Sequence, residues 1–425
     1  MKKHDLVYDT YVQILETELV PAMGCTEPIA VAYCAARAKD ALGVTPQKVD
    51  VKVSGNVIKN VKSVVVPNTG GMVGMEVAAA AGIAFGRSEK ELECIAQADD
   101  GDRAAMRKLL SEAEFTVAPT YGTEPLEIII TLEADGHTSM ARTVKRHANV
   151  VHVEKDGAVL FDKPEGSEDG DAQGPDKSLL KISDIYEFAK TCELDDIKEP
   201  ILRQIECNSA ISKEGLTNDW GACVGKSVLE FKGENMRWKA VAAAAAGSDA
   251  RMGGCALPVI IVAGSGNQGI TASMPVITYA RELGKSEEEL IRALALSDLI
   301  AVYGKVGVGM MSAFCGATCA GCGAGAGIAF LQGASEEEVE KVIISSMGQV
   351  SGMLCDGAKA SCAAKIAAAV DCSILSYEML GRGRRLKGGD GILSDDVDKC
   401  IKDVGRIAKV GMAETDRIVQ AVMTE

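Results

Sequence analysis

Hydrophobic positions along the chain recur with two different spacings. Residues 5–20 carry apolar side chains at helical spacing, and residues 29–42 predict a second helix. Between residues 48 and 161 many apolar residues alternate with polar ones, which predicts strands with helices between them. From residue 179 onward helical patterns follow one another, and no strand pattern returns. The predicted strands are 49–53, 61–66, 126–132, 139–144, 150–154 and 158–161, and the predicted intervening helices are about 71–86, 88–98 and 102–112.

This order of elements predicts an α+β fold. We expect a mainly helical core with a smaller inserted α/β segment that contains an antiparallel meander. The acidic, glycine-rich stretch near residue 170 reads as a linker. The predicted domains are 1–45, N-terminal helices that join the core; 46–165, the α+β segment; 166–177, the linker; and 178–425, a helical domain.

One short pattern occurs three times, at 83–91, 283–289 and 330–338. In each copy an apolar helix ends near a glycine, and a serine with acidic residues comes next. Ser88, Ser286 and Ser335 each have a glutamate three residues later, which predicts a capping box at the start of the following helix. The pattern indicates helical hairpins and gives no information about chemistry.

The composition narrows the class of protein. The net charge of −15 argues against nucleic acid or an anionic membrane surface as a partner. No apolar signal segment follows the first residues, so we expect a cytoplasmic protein whose 14 cysteines are reduced thiols, some of them ligands. Two uncharged runs, 252–280 and 306–335, are broken by glycine or proline, and we expect buried helices there rather than membrane spans.

The second uncharged run introduces a group of cysteines. Cys315, Cys319 and Cys322 have small neighbours, and Cys355 and Cys362 follow downstream. Thiolates among small residues suit a bulky iron–sulfur cluster, because the backbone must come close to it. The same composition suits a tightly packed helical core in which cysteine serves as a small apolar residue. The residues alone leave both interpretations open.

A loop before the second predicted helix contains another candidate. Cys25 precedes Thr26, which is placed to cap the helix, and Pro28, which fits its first turn. The helix dipole is therefore expected to lower the pKa of the Cys25 thiol. A lone cysteine at such a position is usually inert, so both a structural and a chemical role stay open.

Two glycine-rich turns each lead into an apolar helix. Their free backbone N–H groups could bind a carboxylate, although plain tight turns explain them as well, and neither matches a P-loop. The candidate substrate-binding residues are Asn68, Thr69, Gly70, Gly71, Gly266, Asn267, Gln268 and Gly269.

Three histidines fall in the strand segment. The spacing of His137, His147 and His152 is unusual for a metal site. Solvent-facing or cross-strand positions are the favoured prediction for them.

Several of these motifs together resemble a known family. Pro-Ala-Met-Gly-Cys-Thr-Glu-Pro at 21–28 and Pro-Asn-Thr-Gly-Gly at 67–71 resemble the L-cysteine desulfidases, and that resemblance extends over essentially the whole chain. Met-Gly-Gly at 252–254, Ala-Gly-Ser-Gly-Asn-Gln-Gly at 263–269 and Leu-Cys-Asp at 354–356 also resemble the α-domain of bacterial iron–sulfur L-serine dehydratases.

The resemblance implies a site and a reaction. A 4Fe–4S cluster would be held by Cys315, Cys355 and Cys362, with Cys319 and Cys322 as alternatives to Cys315, and Cys25 would be the base. Three protein ligands leave one iron open to act as a Lewis acid. The implied reaction is β-elimination of the small-molecule substrate L-cysteine to pyruvate, ammonia and sulfide, and L-serine dehydration is the alternative. The chain could also form a homodimer.

Two other classes share part of this pattern. Cys315-x3-Cys319-x2-Cys322 has the spacing of the radical S-adenosylmethionine motif, although no strand precedes it as in that family. A structural zinc or redox-sensing module would use the same residue type. Neither class accounts for the Cys25 loop or for the two glycine-rich turns.

Overall fold

The computed structural model describes residues 1–120, 124, 126–163, 174–309 and 312–424. The protein is 60% helical, with a six-stranded mixed sheet and a separate two-stranded antiparallel sheet, which confirms the α+β prediction. Most of the predicted linker at 166–177 lies outside the described residues. Across the ranges that the structure describes, we find no helix that combines the length and apolar character needed to span a bilayer.

The first part of the chain contains the large sheet and the helices that cover it. Its elements, in chain order, are α1 (Leu6–Glu18), β1 (Pro21–Met23), α2 (Thr26–Leu42), β2 (Lys48–Val53), α3 (Gly55–Val61), α4 (Met75–Phe85), α5 (Asp100–Glu112), β3 (Glu114–Pro119), β4 (Glu127–Ala134), β5 (His137–Val144), β6 (Val150–Lys155) and β7 (Ala158–Asp162).

The large sheet has the strand order β3-β2-β4-β5-β6-β7. β2 and β3 are parallel, and every other neighbouring pair is antiparallel, so β4–β7 form the predicted meander. Alternate residues of β4 such as Ile128, Ile130 and Leu132 are fully buried. They share an apolar core with α2 and α4, because side chains two apart in a strand point to the same face.

Residues 61–66 do not form the predicted strand. α3 ends at Val61, and Val65 then makes only an isolated bridge with Val73. Val64 and Val66 are nevertheless fully buried, so the apolar pattern there marks a packed loop rather than a strand. Conversely, the pattern does not predict β3, because this edge strand is mostly exposed and alternates weakly.

The second part of the chain is a body of helices. Its elements are α6 (Ile182–Thr191), α7 (Lys198–Thr217), α8 (Val224–Lys232), α9 (Met236–Met252), β8 (Pro258–Ile260), α10 (Gly266–Glu282), α11 (Glu287–Val308), α12 (Ala317–Leu331), α13 (Glu336–Val350), α14 (Cys362–Leu380), α15 (Val397–Arg406) and α16 (Ala413–Thr424).

The two N-terminal helices belong to different cores. On α1, Tyr8 and Tyr11 pack edge-to-face on Phe188 and so join the core of the helical body. α2 instead shares the core of the large sheet. The predicted domain boundaries remain predictions, but these cores show that the N-terminal segment contributes to both parts of the molecule.

Helix α12 lies in the middle of the helical body, against α10, α11, α13 and α14. A Cβ atom at Gly323 would lie 2.4 Å from the carbonyl oxygen of Ser297, and one at Gly325 would lie 2.7 Å from Cβ of Ser373. Glycine at these positions therefore lets neighbouring helix backbones come into contact. Close packing accounts for the glycine–alanine run of this helix.

Two of the three predicted capping boxes are confirmed. Ser286 and Ser335 each make the reciprocal contacts with the glutamate three residues later, at the starts of α11 and α13. The predicted box at Ser88 is wrong. Glu91 there has a φ of 46°, so the helix breaks, and the Ser88 hydroxyl contacts the carboxylate of Asp40 instead.

The small sheet joins the two parts of the molecule. β1 pairs antiparallel with β8, with Ala22 opposite Val259. The prediction of no strand after residue 179 is therefore wrong at β8, since three residues carry too little alternation to be recognised. Because α2 begins shortly after β1 and α10 shortly after β8, the pairing draws the starts of these two helices towards one region.

Candidate active site

One cavity of about 200 Å³ is lined by residues from both parts of the molecule. Its wall combines the starts of α2 and α10, the ends of α3 and α9, the loop after β5, and the loops that precede α12 and α14. The implied base, Cys25, and the three favoured ligands, Cys315, Cys355 and Cys362, all line it.

Backbone pairing places two of these cysteines next to each other. Phe314 and Leu354 form an antiparallel bridge, and the N–H of Cys315 donates to the carbonyl of Met353 at 2.9 Å. The two loops are thereby held in register, and the Cys315 and Cys355 thiols are neighbours whose ionisation is coupled.

Cys362 is the first residue of α14 and reaches the same cavity. The loop before it turns at Gly357, whose φ is +92°, and a Cβ atom there would lie 1.9 Å from the carbonyl oxygen of Lys59. Only glycine permits this contact and this backbone conformation. The close approach fixes the loop that carries Cys355 and Cys362 against the end of α3.

Three cationic side chains share the wall with the cysteines: Lys59, Arg251 and Lys305. The Lys59 ammonium, 2% exposed, pairs with Asp416 of α16 at 2.7 Å. Arg251 is also buried, and its Nη1 donates to Asn267 Oδ1 at 3.2 Å. Within the described residues, Arg251 Nε has no hydrogen-bond partner. These charges make the cavity suitable for anionic ligands.

The same charges set the ionisation of the paired cysteines. The hydrogen bond from Cys315 lowers the pKa of Cys355 to about 5, and Lys59 and Lys305 act in the same direction against burial. The pKa of Cys315 is raised well above its ordinary value, first by sharing a proton with Cys355 and then by burial. Burial also raises the pKa of Cys362. The pair therefore holds one thiolate at neutral pH.

Cys319 and Cys322 occupy a different environment. Both lie on α12 in the core of the helical body, outside the cavity wall as far as the structure describes it, and burial raises the pKa of Cys319 to about 11. The radical S-adenosylmethionine spacing thus does not bring its three thiols to one cavity. Over the described ranges, no three histidine, cysteine or acidic side chains stand close enough to hold a single metal ion.

Cys25 occupies the N-cap position of α2, where the sequence predicts Thr26. The predicted lowering of its pKa is wrong. Burial raises the pKa of the Cys25 thiol well above its ordinary value, and the Glu27 carboxylate raises it further, while Arg251 opposes both. The protonated thiol donates to Glu27 Oε2 at 2.9 Å, so its proton already has an acceptor.

Donors surround the carboxylate of Glu27. Oε2 accepts from the Thr26 hydroxyl at 3.1 Å, Oε1 accepts from Asn60 Nδ2 at 3.0 Å, and His147 Nε2 lies 3.8 Å from Oε1. Burial would raise the pKa of Glu27, but His147 and Cys25 outweigh it and lower this pKa to about 2. Glu27 is therefore ionised beside a protonated thiol.

The histidines of the strand segment divide into two kinds. His152 contacts Asp162 across neighbouring strands, and His137 contacts Asp156, as the cross-strand prediction expects. His147 differs, because it follows β5 and lines the cavity. For this residue the favoured prediction of a solvent-facing or cross-strand position is wrong.

One of the two glycine-rich turns reaches the cavity. Asn267 and Gln268 line it at the start of α10, and Gln268 Oε1 is buried without a partner among the described residues. Gly266 and Gly269 allow close approach: a Cβ atom at Gly269 would lie 2.0 Å from the carbonyl oxygen of Ile260.

The other turn, residues 68–71, lies apart from the described cavity wall. Asn68 Nδ2 donates to the carbonyl of Ile95 at 2.9 Å, and the Thr69 hydroxyl is buried and bonded to local backbone carbonyls. The turn nevertheless supports the site, because the Pro67 ring packs on Gly24 immediately before Cys25. A Cβ atom at Gly24 would lie 2.4 Å from that ring.

Sequence reasoning missed several polar residues of the wall. Arg251 and Lys305 are charges near the ends of long apolar helices, and this isolation is a signal that could reveal them. The others carry no comparable signal, because only tertiary packing brings them to the cavity. The residues are Glu27, Lys59, Asn60, His147, Arg251 and Lys305.

Known proteins resemble this chain over most or all of its length. Residues 89–421 match the family described as the serine dehydratase alpha chain. A UPF0597 protein of Desulfitobacterium hafniense is 49% identical over 100% of this chain and 98% of the relative. UPF0597 proteins of Lachnoclostridium phytofermentans and Treponema denticola are each 43% identical over 98% of this chain, covering 100% and 98% of those relatives. The family match includes Cys315, Cys355 and Cys362 and begins after Cys25.

Proposed function

The chain belongs to the serine dehydratase alpha-chain family, and from this premise we propose that it is an iron–sulfur lyase that converts L-cysteine to pyruvate, ammonia and sulfide. Family membership supports lyase chemistry of the serine dehydratase kind. One observation carries the finer proposal: Cys25, Cys315, Cys355 and Cys362 converge on a single cavity that also contains three cationic side chains.

The three downstream cysteines fit a 4Fe–4S cluster. Cys355 ionises readily, and Lys59 and Lys305 lie where they would compensate the negative charge of thiolate ligands. Each thiolate of such a cluster binds a different iron, so the ligands stand farther apart than those of a single ion. This spacing agrees with the lack of a single-ion site among the described residues. We therefore assign Cys315, Cys355 and Cys362 as the ligands.

When bound, the cluster supplies a Lewis-acidic iron with an open coordination position. The cavity's own residues bind and orient the amino acid. Arg251 Nε and the N–H groups at the start of α10 are suited to its carboxylate, and Gln268 Oε1 is suited to its ammonium. Cys25 lines the same cavity from the start of α2, and we assign it the removal of the Cα proton.

L-Cysteine is the proposed substrate because thiolate is a better leaving group than hydroxide and a softer ligand for iron. The Cys25 loop also lies outside the region that matches the serine dehydratase family, in a motif that resembles the desulfidases. A pocket that separates cysteine from serine by fit alone offers about 1–3 kcal/mol, or roughly 10–200-fold. We expect kcat/KM to be higher for cysteine by a factor in that range.

The proposal is tested by an anaerobic assay of the full chain after reconstitution with iron and sulfide. Pyruvate formation from L-cysteine and from L-serine is measured side by side, with sulfide release measured for cysteine. We expect cysteine to react faster, with one sulfide released per pyruvate. Faster turnover of serine would make the protein a serine dehydratase. A fully iron-loaded protein that forms pyruvate from neither would overturn the lyase assignment.

The ligand assignment is tested by iron and acid-labile sulfide content. Replacing Cys315, Cys355 or Cys362 with alanine should remove bound iron, because two thiolates rarely hold a cubane cluster. Cys319→Ala and Cys322→Ala are the matched controls and should keep their iron, since both thiols face the helical core. Iron that survives in Cys362→Ala but is lost in Cys319→Ala would contradict the assignment.

A further inference from the structure

Two of the assigned ligands, Cys355 and Cys362, lie at the ends of one short segment, residues 355–362, which we call the ligand loop. The segment is irregular up to the start of α14. Of its residues before Cys362 only Gly357 is buried, and Ala358 joins a small apolar cluster. Ordering such a segment costs conformational entropy, and few apolar contacts are present to offset that cost. We therefore expect polar contacts to hold the ligand loop.

Asp356 and two lysines form a compact group across this loop, which we call the clamp. The Asp356 carboxylate accepts from Lys359 at 2.6 Å and from Lys365, and these side chains are 34%, 23% and 23% exposed. Lys359 also donates to the carbonyl of Gly357 at 3.3 Å, and Lys365 donates to the carbonyl of Leu354 at 2.7 Å. The clamp therefore binds main-chain atoms as well as side chains.

The position of Lys365 connects the two ends of the ligand loop. Lys365 lies on α14, one turn after Cys362. Its contacts with Leu354 and Asp356 bracket Cys355 on both sides. We propose that the clamp holds the ligand loop in its ligating conformation before the cofactor binds, so that its three members are positioning residues for the two cysteines. This inference rests on the proposed function, because it concerns ligands assigned there.

An ordinary ion pair would explain only part of these contacts. Exposed pairs such as Lys399 and Asp403, one turn apart on α15, contribute little because solvent screens them. Lys359 and Lys365 differ, because each also donates to main-chain carbonyls near Cys355. Such bonds restrict the backbone that carries the ligands. Contacts just outside the ligands orient them in metal sites generally, and losing one typically weakens metal binding by about 10–100-fold.

The first test measures iron release from the reconstituted full chain to an excess of a ferrous chelator in the absence of oxygen. Asp356→Asn and Lys365→Met should each release iron about 10–100-fold faster than the wild type. The two variants separate position from charge, because the first removes a negative charge and the second a positive one. A purely electrostatic effect on an anionic cluster would slow release in the first and speed it in the second. The clamp predicts faster release in both.

Two further variants serve as controls. Asp395 accepts from Arg385 at 3.0 Å and from the N–H of Gly388, in a loop outside the described cavity wall. Asp395→Asn breaks this comparable group and should release iron at the wild-type rate. Lys365→Arg keeps the charge and the donor groups, so it should release iron more slowly than Lys365→Met. Urea midpoints of the metal-free variants should stay close to that of the wild type, which separates the effect from global unfolding.

The second test uses the metal-free full chain, so that it does not depend on the cluster. Hydrogen–deuterium exchange is followed by mass spectrometry in peptides that cover residues 355–362. Exchange there should be about tenfold faster in Asp356→Asn and Lys365→Met, because each variant loses charge-assisted hydrogen bonds. Peptides from α12, in the core of the helical body, should exchange at the wild-type rate. This comparison separates a loosened loop from local unfolding of the body around it.

Slower iron release in Asp356→Asn would show that charge rather than position governs the ligands, and it would overturn the clamp. Unchanged exchange of the ligand loop in both variants would overturn it as well. If the wild type binds no iron, the proposed function fails instead, and exchange in the metal-free chain decides on the clamp alone. If Asp356→Asn does not fold, Asp356→Glu supplies both measurements, since it keeps the charge but moves the carboxylate and should still release iron faster.

Discussion

Asp298 lies in the middle of α11, fully buried, with its Oδ1 accepting from Gln204 Nε2 at 3.1 Å. Asp298 Oδ2 and Gln204 Oε1 are both acceptors, and both are buried without a partner among the described residues. A proton on Oδ2 would supply the missing donor to Gln204. Burial, partly opposed by the Gln204 hydrogen bond, raises the pKa of Asp298 to about 8. We therefore expect a neutral carboxylic acid paired with an amide.

This ionisation has a cost that depends on pH. An unfolded aspartate has a pKa of about 3.9, so between about pH 4 and pH 8 the folded state binds more protons than the unfolded state. Stability must then fall as pH rises through this window, by up to about 1.4 kcal/mol per unit. At pH 7, ionisation of this one group in the unfolded state lowers the free energy of unfolding by roughly 4 kcal/mol.

Asp298→Asn tests this reasoning, because asparagine is neutral in both states and offers an N–H to Gln204 Oε1. The variant should match the wild type near pH 4 and exceed its stability by up to about 4 kcal/mol at pH 7. Urea unfolding of metal-free, reduced protein is followed by circular dichroism across the pH window. Asp395→Asn is the control, since that exposed carboxyl has a lowered pKa and is ionised in both states above about pH 5. A stability difference that stays constant with pH would refute the neutral acid.

Two further predictions concern packing and substrate binding. Gly323→Ala should destabilise the protein by about 1–3 kcal/mol, because its methyl group would meet a helix backbone. Gly352→Ala is the control, since a methyl group there would lie in open space. Equal urea midpoints for the two variants would contradict the close packing of α12. Asn267→Ala should raise KM for cysteine by about tenfold, since it releases Arg251. Asn68→Ala should lower stability and leave KM unchanged, because its amide bonds to backbone carbonyls in a turn away from the cavity wall. A raised KM with unchanged stability would show instead that the turn at 68–71 binds substrate.

The hydrophobic periodicity of the chain predicts most of the fold. It fails where burial or strand pairing depends on residues that are distant in sequence. β4 alternates because one face is buried on α2, so the pattern reports its structure directly. Val64 and Val66 are buried in a loop, where the same residue types carry no information about backbone conformation. β1 and β8 form because they pair with each other, and a pattern of three residues cannot predict a partner that is distant in sequence.

The residues of the candidate site likewise divide into those that local motifs predict and those that only tertiary packing brings to the cavity. Motifs identify Cys25, Cys315 and Cys355, because each stands in an unusual local sequence. Which thiols face the cavity is a tertiary property: the spacing of Cys315 and Cys319 is compatible with one site, but only Cys315 leaves the core. His147 comes to the cavity through the meander's position on the helical body, and nothing in its local sequence differs from that of an ordinary surface histidine.

The ion pair between Lys59 and Asp416 has a consequence for biosynthesis. The two residues are 357 positions apart, so Asp416 is synthesised long after Lys59. At a synthesis rate of about 5–20 residues per second, roughly 20–70 s pass between the synthesis of Lys59 and that of Asp416. During that interval the Lys59 ammonium lacks its carboxylate partner, and α3 lacks the helix that packs on it. The surroundings of Lys59 on the cavity wall are therefore complete only once residue 416 has been made.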